Sequence, residues 1–473
     1  MQKLIRYLLL AFLFLLPWQT RYIWHYGELN GGFWEYGTFS LYATEILLWL
    51  IIILFFWRQH YLVRETLSVS HLKKHRRAVL GAAIFFVVLA AQVFFSRSPA
   101  VSLNYVTHFL EGMALVAVLA GSGVSFVGSA AALWLGGVGQ GALAIYQFLT
   151  QNVFASKWLG MAGHSARQLG AGVVEFGDQR WLRAYGSFGW PNSLGIYLAV
   201  LFVLGLVLYF HVKKLEHKAL LSAGQLFIVA GLFFSFSRGA WLAVLAGVIV
   251  LGAVLLHQHR IHLYPLLKQL SVGLVFVVLL MAVFYPVALA RFHSGNRLEV
   301  RSISERVGQY GDAMSFIGAS SPLFGVGPGA YTYALHKKYP TLPAWQYQPI
   351  HNIYLLALAE WGVAGVIMLI FLFGYLGEKI MTKSLWLAPV LAAVAVAGIF
   401  DHWLISLYTG IIFLWVIIGL GLLYKNMLQL QQLGLPSGFR SSVQWLDNIY
   451  LTTIQYETKH PGRNHYAKNE HNR

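Results

Sequence analysis

The sequence predicts an all-α fold: a polytopic transmembrane bundle of about twelve helices, with a large external loop that contains amphipathic helices. Three observations predict it. Hydrophobic residues make up 58% of the 473 and charged residues only 11%, where a soluble domain carries about 25% charged. Apolar runs of about 20 residues recur along the chain, each able to cross a bilayer core of roughly 30 Å. These runs are helix-length and lack the every-second-residue alternation of barrel strands.

Taken in order, the spans are expected near 4–18, 41–57, 78–96, 104–121, 124–149, 192–211, 221–236, 239–256, 266–290, 352–373, 385–400 and 403–424. The first follows Lys3 and Arg6, as a signal peptide would, but no small-residue cleavage site follows. It reads as a retained helix that can extend through the aromatic stretch to Trp24. Basic residues crowd alternate loops: Arg58, Arg64, Lys73, Lys74, Arg76 and Arg77; then Lys213, Lys214 and Lys218; then Arg260 and Lys268; then Lys379 and Lys383. The positive-inside rule puts all four loops, and both termini, in the cytoplasm. The chain thus divides into N-terminal spans (1–150), a first external segment (151–191), central spans (192–290), a large external loop (291–351), C-terminal spans (352–424) and a polar tail (425–473).

The net charge of +17 follows from those loops and does not predict a nucleic-acid partner. Without cysteine there is no disulfide and no thiolate metal site. No G-x-x-x-x-G-K-[ST] loop, D-x-D or E-x-D motif is present, which removes an ATP motor and a metal–nucleotide site of that kind. Gly137-Val138-Gly139-Gln140-Gly141 lies in an apolar run, where close helix packing explains it. His71 and His75 have i,i+4 spacing but fall in a basic loop, so no metal is expected there.

The external loop 291–351 is the informative stretch. Long loops escape the charge rule, so Arg291, Arg297, Arg301 and Arg306 need another explanation. Ile303, Val307, Tyr310, Met314 and Ile317 have helical spacing, with Ser302 and Glu305 as a capping box and Arg306 and Gln309 beside the apolar stripe. Gly325-Val326-Gly327-Pro328-Gly329 forces a turn, a second short helix fits Ala330 to Lys338, and prolines keep the rest extended up to His351. The whole reads as a lid hinged at the glycines.

His351 precedes a membrane helix, whose N-terminal dipole disfavours the imidazolium. A neutral imidazole is what a general base requires, and the same helix end suits a phosphate. Arg238, in FSFSRGAWLAVL, fits either a helix-end arginine reaching the interface or a fixed cation at the outer mouth. Arg183, ahead of Trp190-Pro191-Asn192, fits either a loop arginine or a second such cation. Arg297, Arg301, Gln309 and Asn352 are further candidates for contacting an anionic substrate, as are Asp401 and His402. Glu360, Asp401 and His402 are costly near or inside a bilayer; each is either functional or a partner for an arginine. The outer aromatics Trp181, Trp190, Tyr331, Tyr333, Trp345 and Tyr347 suit sugar stacking or an interfacial belt.

RAYGSFGWPNSLGIYL, FSFSRGAWLAVLAGV and ERVGQYGDAMSFIGASSPLFGVGPGAYTYALHKKYP leading into QPIHNIYLLALAEWGVAG together resemble the O-antigen ligase and O-antigen polymerase family of bacterial membrane glycosyltransferases. FDHWLISLYTG is a looser fourth element, and the likeness covers about 180–420. The resemblance implies a fold of the lipid-linked glycosyltransferase (GT-C) type. It implies transfer of a glycan from undecaprenyl pyrophosphate to an acceptor hydroxyl on a lipid, glycan or protein, without metal, nucleotide or other cofactor. It implies Arg238 and Arg306 as pyrophosphate-binding catalytic residues, His351 as the base and Arg183 as a substrate contact. Ligase, polymerase and protein O-oligosaccharyltransferase share these motifs. A transporter or flippase of an anionic lipid-linked substrate is the other class; it predicts polar residues spread through the spans and an internal repeat, neither of which stands out.

Overall fold

The computed structural model describes residues 1–63, 76–257, 263–291, 297–319, 322–382 and 385–432. Arg64, His71, Lys73, Lys74, His75, Arg260, Lys383 and the tail beyond 432 lie outside these residues.

A helix occupies each of the twelve expected segments. In order they are α1 (Gln2–Leu15), α2 (Ala43–Val63), α3 (Arg76–Phe94), α4 (Pro99–Ser122), α5 (Phe126–Thr150), α6 (Pro191–His211), α7 (Leu215–Ser235), α8 (Arg238–His257), α9 (Tyr264–Val283) with the short α10 (Tyr285–Ala290), then α11 (Arg297–Ala319) and α12 (Tyr331–Lys338) in the large loop, and α13 (Ile353–Met381), α14 (Ala388–Phe400), α15 (Trp403–Ser406) and α16 (Tyr408–Gln432). Eight helices among the described residues are long and apolar enough to cross a membrane: α2 and α4 to α9, with α13. Leu80–Phe94, Leu385–Phe400 and Tyr408–Leu423 are shorter apolar helices. α1 has 14 residues, about 21 Å at 1.5 Å per residue, which is short of a bilayer core.

The outer segments hold small antiparallel pairs. The stretch expected to prolong the first span is instead β1 (Arg21–His25), paired with β4 (Phe39–Tyr42), and between them lie β2 (Glu28–Leu29) and β3 (Gly32–Phe33). Alternating exposure in β1 explains the difference: Tyr22 and Trp24 face outward, so the aromatic run is a strand face. Residues 151–191 form β5 (Asn152–Val153) with β6 (His164–Ser165), and β7 (Val173–Phe176) with β8 (Gln179–Leu182).

The membrane core is one cluster running from Ile5 to Leu423. Small residues bring its helices together. A Cβ on Gly141 of α5 would lie 2.3 Å from the Phe227 carbonyl oxygen of α7, so the glycine-rich run there is a packing surface. On Gly239 of α8 a Cβ would lie 2.6 Å from that of Phe400, which holds α8 against α14. A second core caps one end: Leu29 and Trp34 from the N-terminal strands, Phe316 from α11, Tyr331 and Leu335 from α12, and Tyr347. Trp34 Nε1 donates to Thr332 Oγ1 (3.1 Å), and Asn30 Nδ2 donates to the carbonyls of Pro340 and Leu342 (both 2.7 Å).

α13 breaks at Gly362, whose φ is +59°. At an unbroken helix the N–H groups of Val363 and Ala364 would donate to the carbonyls of Ala359 and Glu360. Here Val326 and Gly327 donate to those carbonyls instead (both 2.9 Å). Val363 and Ala364 donate to the carbonyls of Pro322 (2.8 Å) and Leu323 (3.0 Å). The loop is inserted into the helix ladder, and these four N–H groups and four carbonyls stay paired in an apolar setting. The Glu360 carboxylate adds bonds from the N–H groups of Gly329 (2.9 Å) and Tyr331 (3.3 Å). The glycine run therefore works as a clasp, not as the expected hinge. Glu360 pairs with backbone rather than with an arginine.

α11 starts at Arg297, earlier than the expected capping box. Ser302 and Glu305 lie inside it, and Glu305 pairs with Arg301. Its buried face is Ala313 and Phe316, while Val300, Ile303, Val307 and Met314 are exposed. The apolar stripe is thus split between a face on the bundle and a face turned outward.

The clasp predicts a contrast between glycines. A Cβ on Gly325 (φ +67°) would lie 2.5 Å from the Glu360 carbonyl oxygen, whereas Gly308 in α11 meets open space. Gly325→Ala is expected to cost about 1–3 kcal/mol or more, and Gly308→Ala to be neutral or to stabilise by about 0.5–1 kcal/mol. Thermal unfolding of the detergent-purified variants measures both.

Candidate active site

The end capped by the second core gathers arginines from separate parts of the chain. Arg183 follows β8 and is buried. Its Nε donates to the Ser235 carbonyl (2.8 Å) and one terminal nitrogen to Asn192 Oδ1 (2.7 Å). Two glutamines of α5 hold the turn that follows. Gln147 Oε1 accepts from the N–H groups of Tyr185 (3.0 Å) and Gly186 (2.8 Å), and Gln140 Oε1 accepts from that of Ser187 (2.8 Å). Gly186, at φ +59°, makes the turn possible: a Cβ there would sit 2.5 Å from Gln140 Oε1.

Arg238 is the first residue of α8, after a tight turn in which Phe236 takes φ +48°. A cation at the positive end of a helix dipole is unfavourable unless an anion joins it. Arg291 follows α10, and its Nε donates to the Phe236 carbonyl (3.0 Å). Burial, then the guanidiniums of Arg183, Arg238 and Arg306, pull the Arg291 pKa down. Burial lowers that of Arg183 too; Arg306 and Arg238 add to the effect and Asp401 opposes it. Arg183, Arg238, Arg291 and Arg306 therefore share one electrostatic field. Guanidinium stays protonated despite such shifts, so the cluster is a standing positive potential.

His351 lies one residue before the Asn352 N-cap of α13. Gln309 of α11 fixes it: Gln309 Oε1 accepts from the His351 N–H (3.2 Å) and pairs with its Nδ1 (3.0 Å). A carbonyl-type acceptor at Nδ1 assigns the ring proton to Nδ1 and leaves the lone pair on Nε2. Burial lowers the His351 pKa; Arg306 lowers it further, against the opposing pull of Asp401 and Glu305. The net shift favours the neutral imidazole, with its lone pair on Nε2. Its ring meets the His402 ring edge-on at 5.1 Å. His402 is buried, its Nδ1 lies 2.6 Å from Ser406 Oγ, and burial pushes its pKa down to about 4.

Arg183, Arg238, Arg306 and His351 thus come together with Asp401 and His402. Others among the expected site residues have different work. Arg297 is exposed and ion-paired with Glu175 (3.2 Å). Arg301 is exposed, pairs with Glu305 at i,i+4 (2.7 Å) and lies over the Trp345 ring. Each has a carboxylate partner and lies exposed, apart from the buried cluster. Asn352 caps α13, its Oδ1 accepting from the N–H groups of Tyr354 (2.9 Å) and Leu355 (3.1 Å). Gln309 holds the histidine. Asp401 Oδ1 accepts from the Trp403 N–H (2.9 Å), which starts α15, while its charge acts on Arg183 and both histidines. Sequence reasoning missed the place of Arg291 in the cluster and the scaffolding by Gln140 and Gln147. Two glutamines seven residues apart on one face of an apolar span were a usable signal.

The depressed histidines link stability to pH. Their folded pKa values lie below the ordinary 6.5, so the unfolded chain binds the proton first as pH falls. The stability they contribute is complete above pH 6.5 and is lost as pH drops toward 4. Thermal unfolding between pH 7 and 4.5 should show this loss, and His402→Gln should flatten it.

No curated protein matches the chain. Residues 223–370, from within α7 to within α13, match the family model described as O-antigen ligase. The match includes Arg238, Arg291, Arg306, His351 and the Glu360 clasp, and it supports the resemblance read from the motifs. Over that stretch the chain is similar to the O-antigen ligase family.

Proposed function

We propose that the protein is a multi-pass inner-membrane glycosyltransferase that moves a glycan from undecaprenyl pyrophosphate to an acceptor hydroxyl. The supporting observation is the convergence of Arg183, Arg238, Arg291 and Arg306 on a neutral, tautomerically oriented His351 at one end of an apolar bundle. Such a field suits a pyrophosphate, and fork-shaped guanidiniums suit its oxygens. Both termini are read as cytoplasmic and the site as periplasmic, by the loop charges.

In the proposed reaction His351 Nε2 accepts the proton of the acceptor hydroxyl. The alkoxide oxygen attacks the anomeric carbon, and the bond from that carbon to the pyrophosphate oxygen breaks. The electron pair leaves with the lipid pyrophosphate. Arg306 and Arg238 stabilise the charge gathering there, as fixed cations that need no reorganisation. Gln309 keeps Nε2 unprotonated and aimed. Attack opposite the leaving group inverts the sugar. A lipid A core, a growing glycan or a protein can each present the hydroxyl.

The test is transfer from a lipid-pyrophosphate glycan by the purified protein. His351→Ala is expected to lower kcat about 10²–10⁴-fold, and Arg306→Ala about 10²–10³-fold. Arg297→Ala and Arg301→Ala break exposed ion pairs and should stay within about fivefold of wild type. Wild-type rates in both His351→Ala and Arg306→Ala would overturn the reading.

A further inference from the structure

A second buried polar cluster lies in the N-terminal half, outside the residues that match the family. Glu45 stands in the first turn of α2, and His108 and Glu111 lie one turn apart on α4. All three are buried. One ligand atom from each falls within 4.8 Å of the others. His108 Nδ1 is 3.2 Å from Glu111 Oε2 and 3.9 Å from Glu45 Oε1. Two carboxylates at this spacing, away from water, repel strongly unless a cation joins them.

The surroundings sort the carboxylate oxygens. Glu111 Oε1 accepts from Trp49 Nε1 (2.8 Å), and Glu45 Oε2 accepts from the Tyr42 N–H (3.1 Å). One oxygen of each carboxylate is thereby oriented by an N–H donor, and the other is turned toward His108. This is how outer-shell donors hold metal-ligating carboxylates. Asn104 lies at His108 Nε2 (3.5 Å); turned so that its carbonyl oxygen faces that nitrogen, it would fix Nε2–H and free the Nδ1 lone pair.

A separate observation points to a ligand. The cluster borders a cavity of about 50 Å³ whose lining includes His108, Asn104, Ser40 and Tyr408. Ser40 is more than nine-tenths buried and its Oγ has no hydrogen-bond partner among the described residues, while the buried Tyr408 hydroxyl has only the Thr44 side chain beside it. The Tyr408 ring meets the His108 ring edge-on at 5.1 Å. Buried hydroxyls that face such a cavity are suited to bonding an ion and its waters.

We propose that Glu45 Oε1, Glu111 Oε2 and His108 Nδ1 bind a divalent transition-metal ion of the zinc or manganese class, tying α2 to α4. The ligand set of two carboxylates and one imidazole suits those ions. Two carboxylates, a neutral imidazole and a dication sum to zero charge, which removes the penalty of burying the acids. Remaining coordination positions face the cavity, where water and the Ser40 and Tyr408 hydroxyls can complete the shell. The ion is structural and takes no part in the proposed transfer.

The test uses the full chain in detergent, stripped with EDTA and dialysed against Zn²⁺ or Mn²⁺. Metal per chain is measured for wild type, Glu111→Gln, Glu45→Gln and His108→Gln. The chain has 18 histidines, so the quantity read is the difference between wild type and variants. About one ion per chain should be lost in each variant, through affinity at least about tenfold weaker. Bound Mn²⁺ should show nitrogen coupling in its EPR spectrum that His108→Gln abolishes, and the metal should raise the unfolding temperature of wild type only. Equal metal content in wild type and all folded variants, or no retained ion in wild type, overturns the proposal. None of these readouts uses transfer activity, so this proposal and the transfer reading fail separately.

Discussion

Two carbonyls of α13, on Ala359 and Glu360, accept hydrogen bonds from a loop instead of from their own helix. That exchange joins the large external loop to the membrane bundle. It depends on glycines with positive φ at 325, 327 and 362, which let two backbones approach closely enough to share a ladder. Glu360 extends the join by accepting from Gly329 and from Tyr331, the first residue of α12. α11 packs against α12 and Tyr347 in the outer core, so its position is inherited from the clasp. The rigid part of the loop is therefore the glycine run, the part that composition alone would mark as flexible.

The arginine cluster is organised on the same logic of backbone anchoring. Arg183 and Arg291 each spend one donor on a carbonyl at either side of the tight turn before α8, those of Ser235 and Phe236. Arg238 begins the helix that this turn launches. Three cations are thus tied to one turn, and their mutual repulsion is held in place by the fold. A site prepared in this way has its field set before any anion arrives, which is the condition for electrostatic stabilisation without reorganisation.

Helix positions were legible because long apolar runs have few alternatives in a bilayer. The cluster of Arg183, Arg238, Arg306 and His351 was legible through motifs and through basic residues that topology does not explain. What stayed hidden depended on partners far away in sequence. Arg297 is taken up by Glu175, more than a hundred positions earlier, and no local pattern reveals that. Asn352 sits where a capping residue belongs, and its role was readable from helix-start chemistry alone. β1 was hidden because a short aromatic strand and the end of an apolar span have similar composition. The splitting of the α11 stripe was hidden because spacing identifies a helix face without saying whether protein or lipid covers it.

Gln309 and Arg306 lie one turn apart on α11. The first holds the proton on His351 Nδ1; the second adds to the cationic field and to the depression of the His351 pKa. One rigid rod therefore carries both the setting of the base and part of the anion's seat. In the proposed reaction a shift of that rod would withdraw both together. Val300, Ile303, Val307 and Met314 of the same helix form an exposed apolar face, of the kind that suits a lipid surface.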